Sequence, residues 1–167
     1  MNTTTDDLSE RVITIDLAQQ QGYRFEVRFD DPAVPVLLTD EPPPLGAGAG
    51  PDPARLLAAA VSNCLAASLL FALRKLGNHA EPLRAHATLR LGRNERNRLR
   101  VSRIAVDLNL GARAQDLRML PRVLAQFEDY CIVTQSVRAG FTVDVQVFDR
   151  DGTPLHATTT SPEAQPA

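Results

Sequence analysis

The sequence predicts an α+β fold in which mainly antiparallel sheets pack around a long central helix. Three observations lead to this prediction. Apolar and polar residues alternate over residues 13–29, an uncharged run fills residues 56–73, and the alternation returns between residues 83 and 110. Because no series of strand, helix and strand recurs along the chain, we expect mainly antiparallel pairing.

The first elements are predicted to be strands. Apolar residues repeat with a period of two on either side of Gly22, as in an antiparallel hairpin: Ile13, Ile15, Leu17, Tyr23, Phe25, Val27 and Phe29. A third short apolar run at residues 36–38 leads into DEPPPLGAGAGPDP, residues 40–53. Proline and glycine forbid regular structure there, so this segment is predicted to be a loop.

A long helix is predicted to follow this loop. Asp52 can cap its first backbone N–H groups, and Pro53 suits the first helical position. Basic residues, which suit the carboxyl end of a helix, stand just before Gly77, the expected residue after the last turn. The pattern therefore predicts a helix that begins near Pro53 and ends before Gly77.

The uncharged run of this helix has the length of a membrane span. Polar residues interrupt it at Ser62, Asn63 and Ser68, and its six alanines contribute little transfer free energy, so we expect a core helix and no membrane. One domain of this size covers one side of such a helix. We therefore expect a homodimer with the helix at or near its interface.

The second half of the chain predicts two strands, a helix and a final strand. The strands cover residues 83–91 and 99–110, and a change of apolar parity near Ser102 indicates a β-bulge. A helix is predicted to follow, kinked or restarted at Pro121 and ending around residues 127–131. The alternation at residues 141–147 predicts the last strand.

Length and composition indicate one globular domain. The 167 residues are enough for a single core, and a net charge of −2 gives no whole-chain attraction to nucleic acid or anionic lipid. We expect a disordered arm at residues 1–10, one domain at residues 11–148 and a flexible tail at residues 149–167. The arm lacks the basic and apolar regions of a signal peptide, so the expected location is a reducing cytoplasm.

Two cysteines, Cys64 and Cys131, are the candidate functional residues. Each lies in or beside a helix predicted to pack on the same core, and each is flanked by polar residues that need partners when buried. A small buried hydrophobe is the alternative interpretation of each cysteine. In a reducing compartment, a functional pair acts as thiols, a transient disulfide or metal ligands.

Two segments resemble the cysteine motifs of the OsmC/Ohr family, the osmotically inducible and organic hydroperoxide resistance proteins. They are GPDPARLLAAAVSNCLAASLLFALRK at residues 50–75 and FEDYCIVTQSVRAGFTVDVQV at residues 127–147. The resemblance implies an intertwined homodimer and a thiol-dependent peroxidase that reduces organic hydroperoxides. It assigns Cys64 as the peroxide-attacking cysteine and Cys131 as the resolving cysteine. It implies no metal or other cofactor, and a dithiol reductant such as a lipoyl group.

Activation of Cys64 is where this sequence departs from the family pattern. In the peroxidase subgroup an arginine from an early loop serves as the activating cation, held by a glutamate ten residues before the cysteine. Here that position is Ala54, and Ile132 replaces a frequent proline. Arg24, Arg28 and Arg55 are candidates for the cation, and Glu128 is a candidate to orient it. The alternative function is a non-catalytic dimer that binds a small molecule or lipid, with redox-sensitive or structural cysteines.

Other signals indicate no further site. Seven arginines between Arg84 and Arg103 are interpreted as the solvated face and tip of a hairpin, since no aromatic residue there can stack a base. Thus we expect no nucleic-acid partner. The segment GAGAG lacks the spacing of a nucleotide-binding motif. Because the three histidines have no ligand spacing to the cysteines, a zinc site is not expected: His79, His86 and His156.

Overall fold

A computed structural model describes residues 11–162, so the expected arm at residues 1–10 and the end of the expected tail at residues 163–167 lie outside the described residues. The chain divides into two compact units, one ending at Pro53 and the other beginning at Ala54. The expectation of one domain over residues 11–148 did not anticipate this division. Both cysteines belong to the second unit.

The first unit contains a three-stranded antiparallel sheet. Its strands are β1 (Ile15–Gln21), β2 (Arg24–Phe29) and β3 (Leu37–Thr39), in the order β1-β2-β3. Leu17 pairs with Val27, and Gly22 takes a positive φ of 57° in the turn, so the predicted hairpin is confirmed. The loop that follows is held by Asp40, whose carboxylate accepts backbone N–H groups of Ala47 and Ala49, each at 3.1 Å.

Helix α1 (Pro53–Lys75) has the length that the sequence predicted. It ends because Gly77, at φ 72°, reverses the backbone, and its N–H and that of Asn78 then donate to the carbonyls of Arg74 and Leu73. By length and composition alone α1 could cross a membrane, a test that core helices of soluble proteins also pass. Six of its residues are buried inside the chain: Val61, Leu65, Ser68, Leu69, Ala72 and Leu73.

The second unit contains a four-stranded sheet in the order β4-β5-β6-β7. The strands are β4 (Arg84–Arg93), β5 (Leu99–Asn109), β6 (Thr142–Phe148) and β7 (Pro154–Thr160). Across β4 and β5, Arg90 pairs with Arg103 but Leu91 pairs with Val101. Ser102 is therefore an extra residue, which confirms the predicted bulge.

The strand pairings are mainly antiparallel, as predicted, but two features of this sheet were not predicted. β5 and β6 run parallel, with Ile104 beside Val143, because residues 110–141 and their helices carry the chain back to the same end of the sheet. The sheet is thus mixed. The expected flexible tail at residues 149–167 instead contains β7, which pairs antiparallel with β6. The pairing satisfies the backbone N–H and C=O groups of a threonine-rich segment whose composition had suggested disorder.

The helix predicted in the second half is broken into short pieces. Helix α2 (Leu120–Gln126) carries Pro121 in its first turn, where proline fits. One 3-10 helix (Ala114–Asp116) precedes it, and another (Phe127–Tyr130) ends just before Cys131. A further helix, α3 (Ile132–Val137), was not predicted.

The core of the second unit lies between α1, the short helices and the inner face of the sheet. Alternate residues of β5 and β6 point to it, consistent with a sheet that has one buried face. The fully buried large side chains are Val61, Leu65, Leu69, Leu73, Ile104, Val106, Leu108, Val123, Phe127, Val143, Val145 and Val147. The opposite face of α1 is exposed in the described chain, with Phe71 54% exposed.

Candidate functional site

Helix α1 and the start of α3 bring the two cysteines together. Cys64 lies about three turns into α1 and is half-buried, whereas Cys131 is fully buried at the residue that caps α3. The Cys64 side chain lies close enough to raise the pKa of the Cys131 thiol. The expectation that folding unites these residues is met, and Cys131 lies before a helix that the sequence did not reveal.

The surroundings of Cys131 favour its protonated form. Burial raises the pKa of the Cys131 thiol above its ordinary value, and the neighbouring Cys64 side chain raises it further. Thr134 acts in the opposite direction, because its hydroxyl, which accepts the thiol proton at 2.9 Å, can rotate to donate to the thiolate, and its backbone N–H donates to Cys131 Sγ at 3.4 Å. Cys131 is therefore held as a thiol with a defined orientation.

Only Cys64 of the pair faces an open recess. Its volume is about 340 Å³ and its walls are mostly apolar, formed by Ala67, Ser68, Phe71, Tyr130 and Ile132 together with Cys64. Phe71 and Tyr130 meet edge to face with ring centroids 5.6 Å apart, and Lys75 Nζ lies within 6 Å of both ring centroids. A small apolar molecule can thus reach Cys64, while Cys131 is shielded behind it.

A buried polar cluster lies beside Cys131, and we name it the Glu128 network: Glu128, Arg138, His156 and Thr158. The Glu128 carboxylate pairs with Arg138, contacts His156 Nε2 at 2.8 Å and accepts the Thr158 hydroxyl at 2.7 Å. The sequence suggested that Glu128 orients one of Arg24, Arg28 and Arg55. In the structure Glu128 instead pairs with Arg138. The partners on β7 were missed because that strand was interpreted as a tail.

The predicted activating arginines are distributed over both units. Arg28 pairs with Glu26 in the first unit. Arg24 lies in the same unit, where hydrogen bonds from the Ala49 and Ala47 backbone and then the Arg24 charge lower the pKa of the Asp40 carboxyl. Arg55 lies in the first turns of α1, one residue after Ala54. Which of them activates Cys64 stays a prediction.

Not every polar residue beside the cysteines contributes to the site. Ser62 donates its hydroxyl to the carbonyl of Ala58 at 2.8 Å within its own helix, and Asn63 is exposed. Near Cys131, Thr134 and Glu128 are buried but Asp129 and Gln135 are exposed. Among residues 11–162, no group of three or more His, Cys, Asp or Glu side chains is arranged to hold a metal ion.

Comparisons with known proteins agree on one family. The family model described as OsmC-like protein matches residues 46–146, which include both cysteines and α1 from its start to its end. No curated protein matches the sequence.

Several solved structures share the fold. An OsmC-like protein of unknown function from Vibrio cholerae has a TM-score of 0.70 at 18% identity, covering 83% of this chain and 100% of its own. An organic hydroperoxide resistance protein from the same species, with captopril bound in one of its active sites, has a TM-score of 0.64 at 18% identity and covers 93% and 100%.

The organic hydroperoxide resistance protein OhrB of Bacillus subtilis has a TM-score of 0.59 at 15% identity, covering 83% of this chain and 98% of its own. At these identities the structural matches establish the fold alone, and the family assignment rests on the match to the family model. That match spans more than half of this chain, so the chain belongs to the OsmC-like protein family.

Proposed function

We propose that this protein is a thiol-dependent peroxidase that reduces organic hydroperoxides, fatty-acid hydroperoxides among them. The observation that carries the proposal is the proximity of a half-buried thiol at an apolar recess, Cys64, to a fully buried thiol, Cys131. A peroxidase that uses two cysteines needs one thiol open to substrate and a second thiol shielded from it but within bonding reach. Some structural relatives carry the name organic hydroperoxide resistance protein, which supports the same reaction.

The first step oxidises Cys64. Its thiolate attacks the distal oxygen of the peroxide, so an S–O bond forms while the O–O bond breaks. The alkoxide leaves, takes up a proton and departs as the alcohol. Cys64 is then a sulfenic acid, and the peroxide has received two electrons.

The second step forms a disulfide. Cys131 attacks the Cys64 sulfur, the S–S bond forms, and the hydroxyl group leaves with the thiol proton as water. The proximity of the two cysteines in the reduced protein supports this step. A dithiol reductant, such as a lipoyl group on a partner protein, then restores both thiols by exchange.

A nearby cation is needed because Cys64 lies too far inside α1 to benefit from the helix dipole. We propose that one of Arg24, Arg28 and Arg55 serves this role. The family glutamate is absent at Ala54, so this arginine is positioned by other groups. Arg24 is the first residue to test, because its charge interacts with the Asp40 carboxylate, which can position it.

We further propose that the protein is a cytoplasmic homodimer. The exposed face of α1 carries Ala67, Leu70 and Phe71 around a second apolar recess of about 630 Å³. A second copy of this chain would cover that face and close the recess at Cys64. Closure excludes water from the reacting sulfur.

Turnover of cumene hydroperoxide with dihydrolipoic acid as reductant tests the proposal. We expect peroxide consumption by the wild-type protein and none by Cys64→Ser. Without the reductant, Cys131→Ser should consume one equivalent of peroxide, and its sulfenic acid should persist. If peroxide and both thiols remain unchanged, the peroxidase assignment is wrong. Saturable binding of an apolar fluorescent probe would then favour the alternative, a non-catalytic dimer that binds a lipid or small molecule in the apolar recess.

A further inference from the structure

The Glu128 network joins three separate parts of the chain. Glu128 belongs to the turn before Cys131, Arg138 follows the last residue of α3, and His156 and Thr158 are two residues apart on β7. The side chains of Glu128, Arg138 and His156 are only 11%, 16% and 18% exposed. A buried carboxylate with this many partners fixes its own position closely.

Both ends of Glu128 are held. Its carboxylate is bound to the charged and hydroxyl groups of the network, as described above. Its backbone carbonyl accepts the Cys131 N–H at 3.0 Å and the Gln135 side-chain amide at 3.1 Å. Glu128 therefore connects β7 directly to the backbone of Cys131 and to the first turns of α3.

The network depends on this one carboxylate. Arg138 has no other acidic partner among the described residues, and its Nε is buried without a hydrogen bond. His156 packs edge to face on Phe127 with ring centroids 5.5 Å apart, which places the imidazole against the residue before Glu128. Removal of the Glu128 charge leaves a buried guanidinium unpaired, so the attachment of α3 to β7 weakens.

We propose that Glu128 is a positioning residue for the resolving step: it holds Cys131 where its sulfur meets Cys64. The peroxide assay of this inference rests on the proposed function. The effect of Glu128 on disulfide closure can be tested without it. Glu128 acts through the backbone of Cys131 and the N-terminus of α3. The rate of closure therefore depends on Glu128, whereas the first attack on Cys64 does not.

The chain contains a matched control on the other face of the same sheet. Asp144 on β6 is buried, pairs with Arg103 and accepts the Thr159 hydroxyl at 2.8 Å, so its chemistry parallels that of Glu128. Asp144 lies between Val143 and Val145, which point into the core, so its side chain is on the outer face, away from the cysteines. Asp144→Asn therefore removes a carboxylate–arginine pair, one whose arginine is more exposed than Arg138, without touching the support of Cys131.

The closure assay needs no peroxide. Ellman's reagent converts Cys64 to a mixed disulfide with thionitrobenzoate, and Cys131 then attacks the Cys64 sulfur, breaks the bond to the aromatic sulfur and releases a second thionitrobenzoate. For Glu128→Gln we expect this release to slow about 10- to 100-fold, since small misplacements of a reacting group cost rates of that size. Asp144→Asn should close at the wild-type rate, and the first thionitrobenzoate should appear at the wild-type rate in both variants.

The proposal is overturned if Glu128→Gln closes as fast as the wild-type protein, or if Asp144→Asn slows closure equally, because the effect is then general destabilisation. Should Glu128→Gln fail to fold, Thr158→Val removes one hydrogen bond and keeps the ion pair. It must then slow closure in the same direction, by less, or the proposal is wrong.

A parallel assay with cumene hydroperoxide and dimedone separates the two ideas. Accumulation of the dimedone adduct on Cys64 in Glu128→Gln supports both. If disulfide closure is slow in Glu128→Gln but the wild-type protein does not react with peroxide, only the peroxidase assignment is wrong. If the wild-type protein reduces peroxide but Glu128→Gln closes its disulfide at the wild-type rate, only the positioning role of Glu128 is wrong.

Discussion

The Cys131 thiol lies beside Cys64, which raises its pKa, although Cys64 belongs to α1, Cys131 caps α3, and two strands of the four-stranded sheet lie between them in the sequence. The proximity arises because α1 and the 3-10 helix before Cys131 pack on the same core, to which Leu65, Phe127 and Cys131 all contribute. The disulfide step proposed above depends on this proximity. The predictions below test the groups that hold it.

Thr134 is predicted to tune the reactivity of Cys131. Its hydroxyl lowers the pKa of the Cys131 thiol, so Thr134→Val should raise that pKa further. Disulfide closure at neutral pH should slow about fivefold, the effect of losing roughly one hydrogen bond, and its pH profile should move to higher pH. Ser136→Ala is the control in the same helix, because the Ser136 hydroxyl donates only to the Ile132 carbonyl. An unchanged pH profile in Thr134→Val would contradict the role given to Thr134.

The stability of the reduced protein should fall at alkaline pH through Cys131. Because folding raises the pKa of this thiol, its contribution is complete below the ordinary thiol pKa and is lost as the pH rises towards the folded value. Urea unfolding of the wild-type protein and Cys131→Ala under reducing conditions measures the contribution as a difference. The difference in unfolding free energy should stay constant up to about pH 8 and shrink above it. If the difference in unfolding free energy stays constant to pH 10, the raised pKa of the Cys131 thiol does not contribute to stability.

Asp144 should stabilise the fold with the opposite pH dependence. The hydrogen bonds and charge of Arg103 lower the pKa of the Asp144 carboxyl, so its contribution is complete above the ordinary carboxyl pKa and is lost as the pH falls through the folded value. We expect Asp144→Asn to reduce the free energy of unfolding by about 1 kcal/mol at pH 7, a modest value because Arg103 is half exposed. The loss should become smaller at pH 3. An equal loss at both pH values would assign the effect to packing.

Phe71 should contribute to self-association. It is 54% exposed on the uncovered face of α1, beside the apolar recesses. Phe71→Asp places a charge on this face and should raise the dimer dissociation constant by about tenfold or more, measured by sedimentation equilibrium. Met119→Asp, at a residue 55% exposed elsewhere on the second unit, is the control and should leave the dissociation constant unchanged. Equal association of both variants would place the interface on another surface.

Local chemistry explains which parts of the fold could be predicted. The start of α1 follows from Pro53 and its end from Gly77, since each residue restricts the backbone at its own position. The bulge at Ser102 follows from a change of apolar parity within one strand. The family resemblance identified Cys64 and Cys131 because their motifs are short and continuous.

Long-range pairing explains what could not be predicted. β7 forms because β6 offers an unpaired edge, and the Thr158–Thr160 segment alone shows no strand pattern. Without β7, the partners His156 and Thr158 of Glu128 could not be found from the sequence. The parallel pairing of β5 and β6 was accessible in principle, since a helical connection of residues 110–141 is typical of parallel neighbours.

The most direct test of the proposed chemistry counts thiols after addition of one equivalent of cumene hydroperoxide to the reduced protein. Both free cysteines should disappear, and peptide mass spectrometry should find a single disulfide that joins Cys64 to Cys131. Cys64→Ser should keep its remaining thiol. Full retention of both thiols in the wild-type protein, or oxidation that proceeds equally in Cys64→Ser, would contradict the proposal that these two sulfurs form one redox centre.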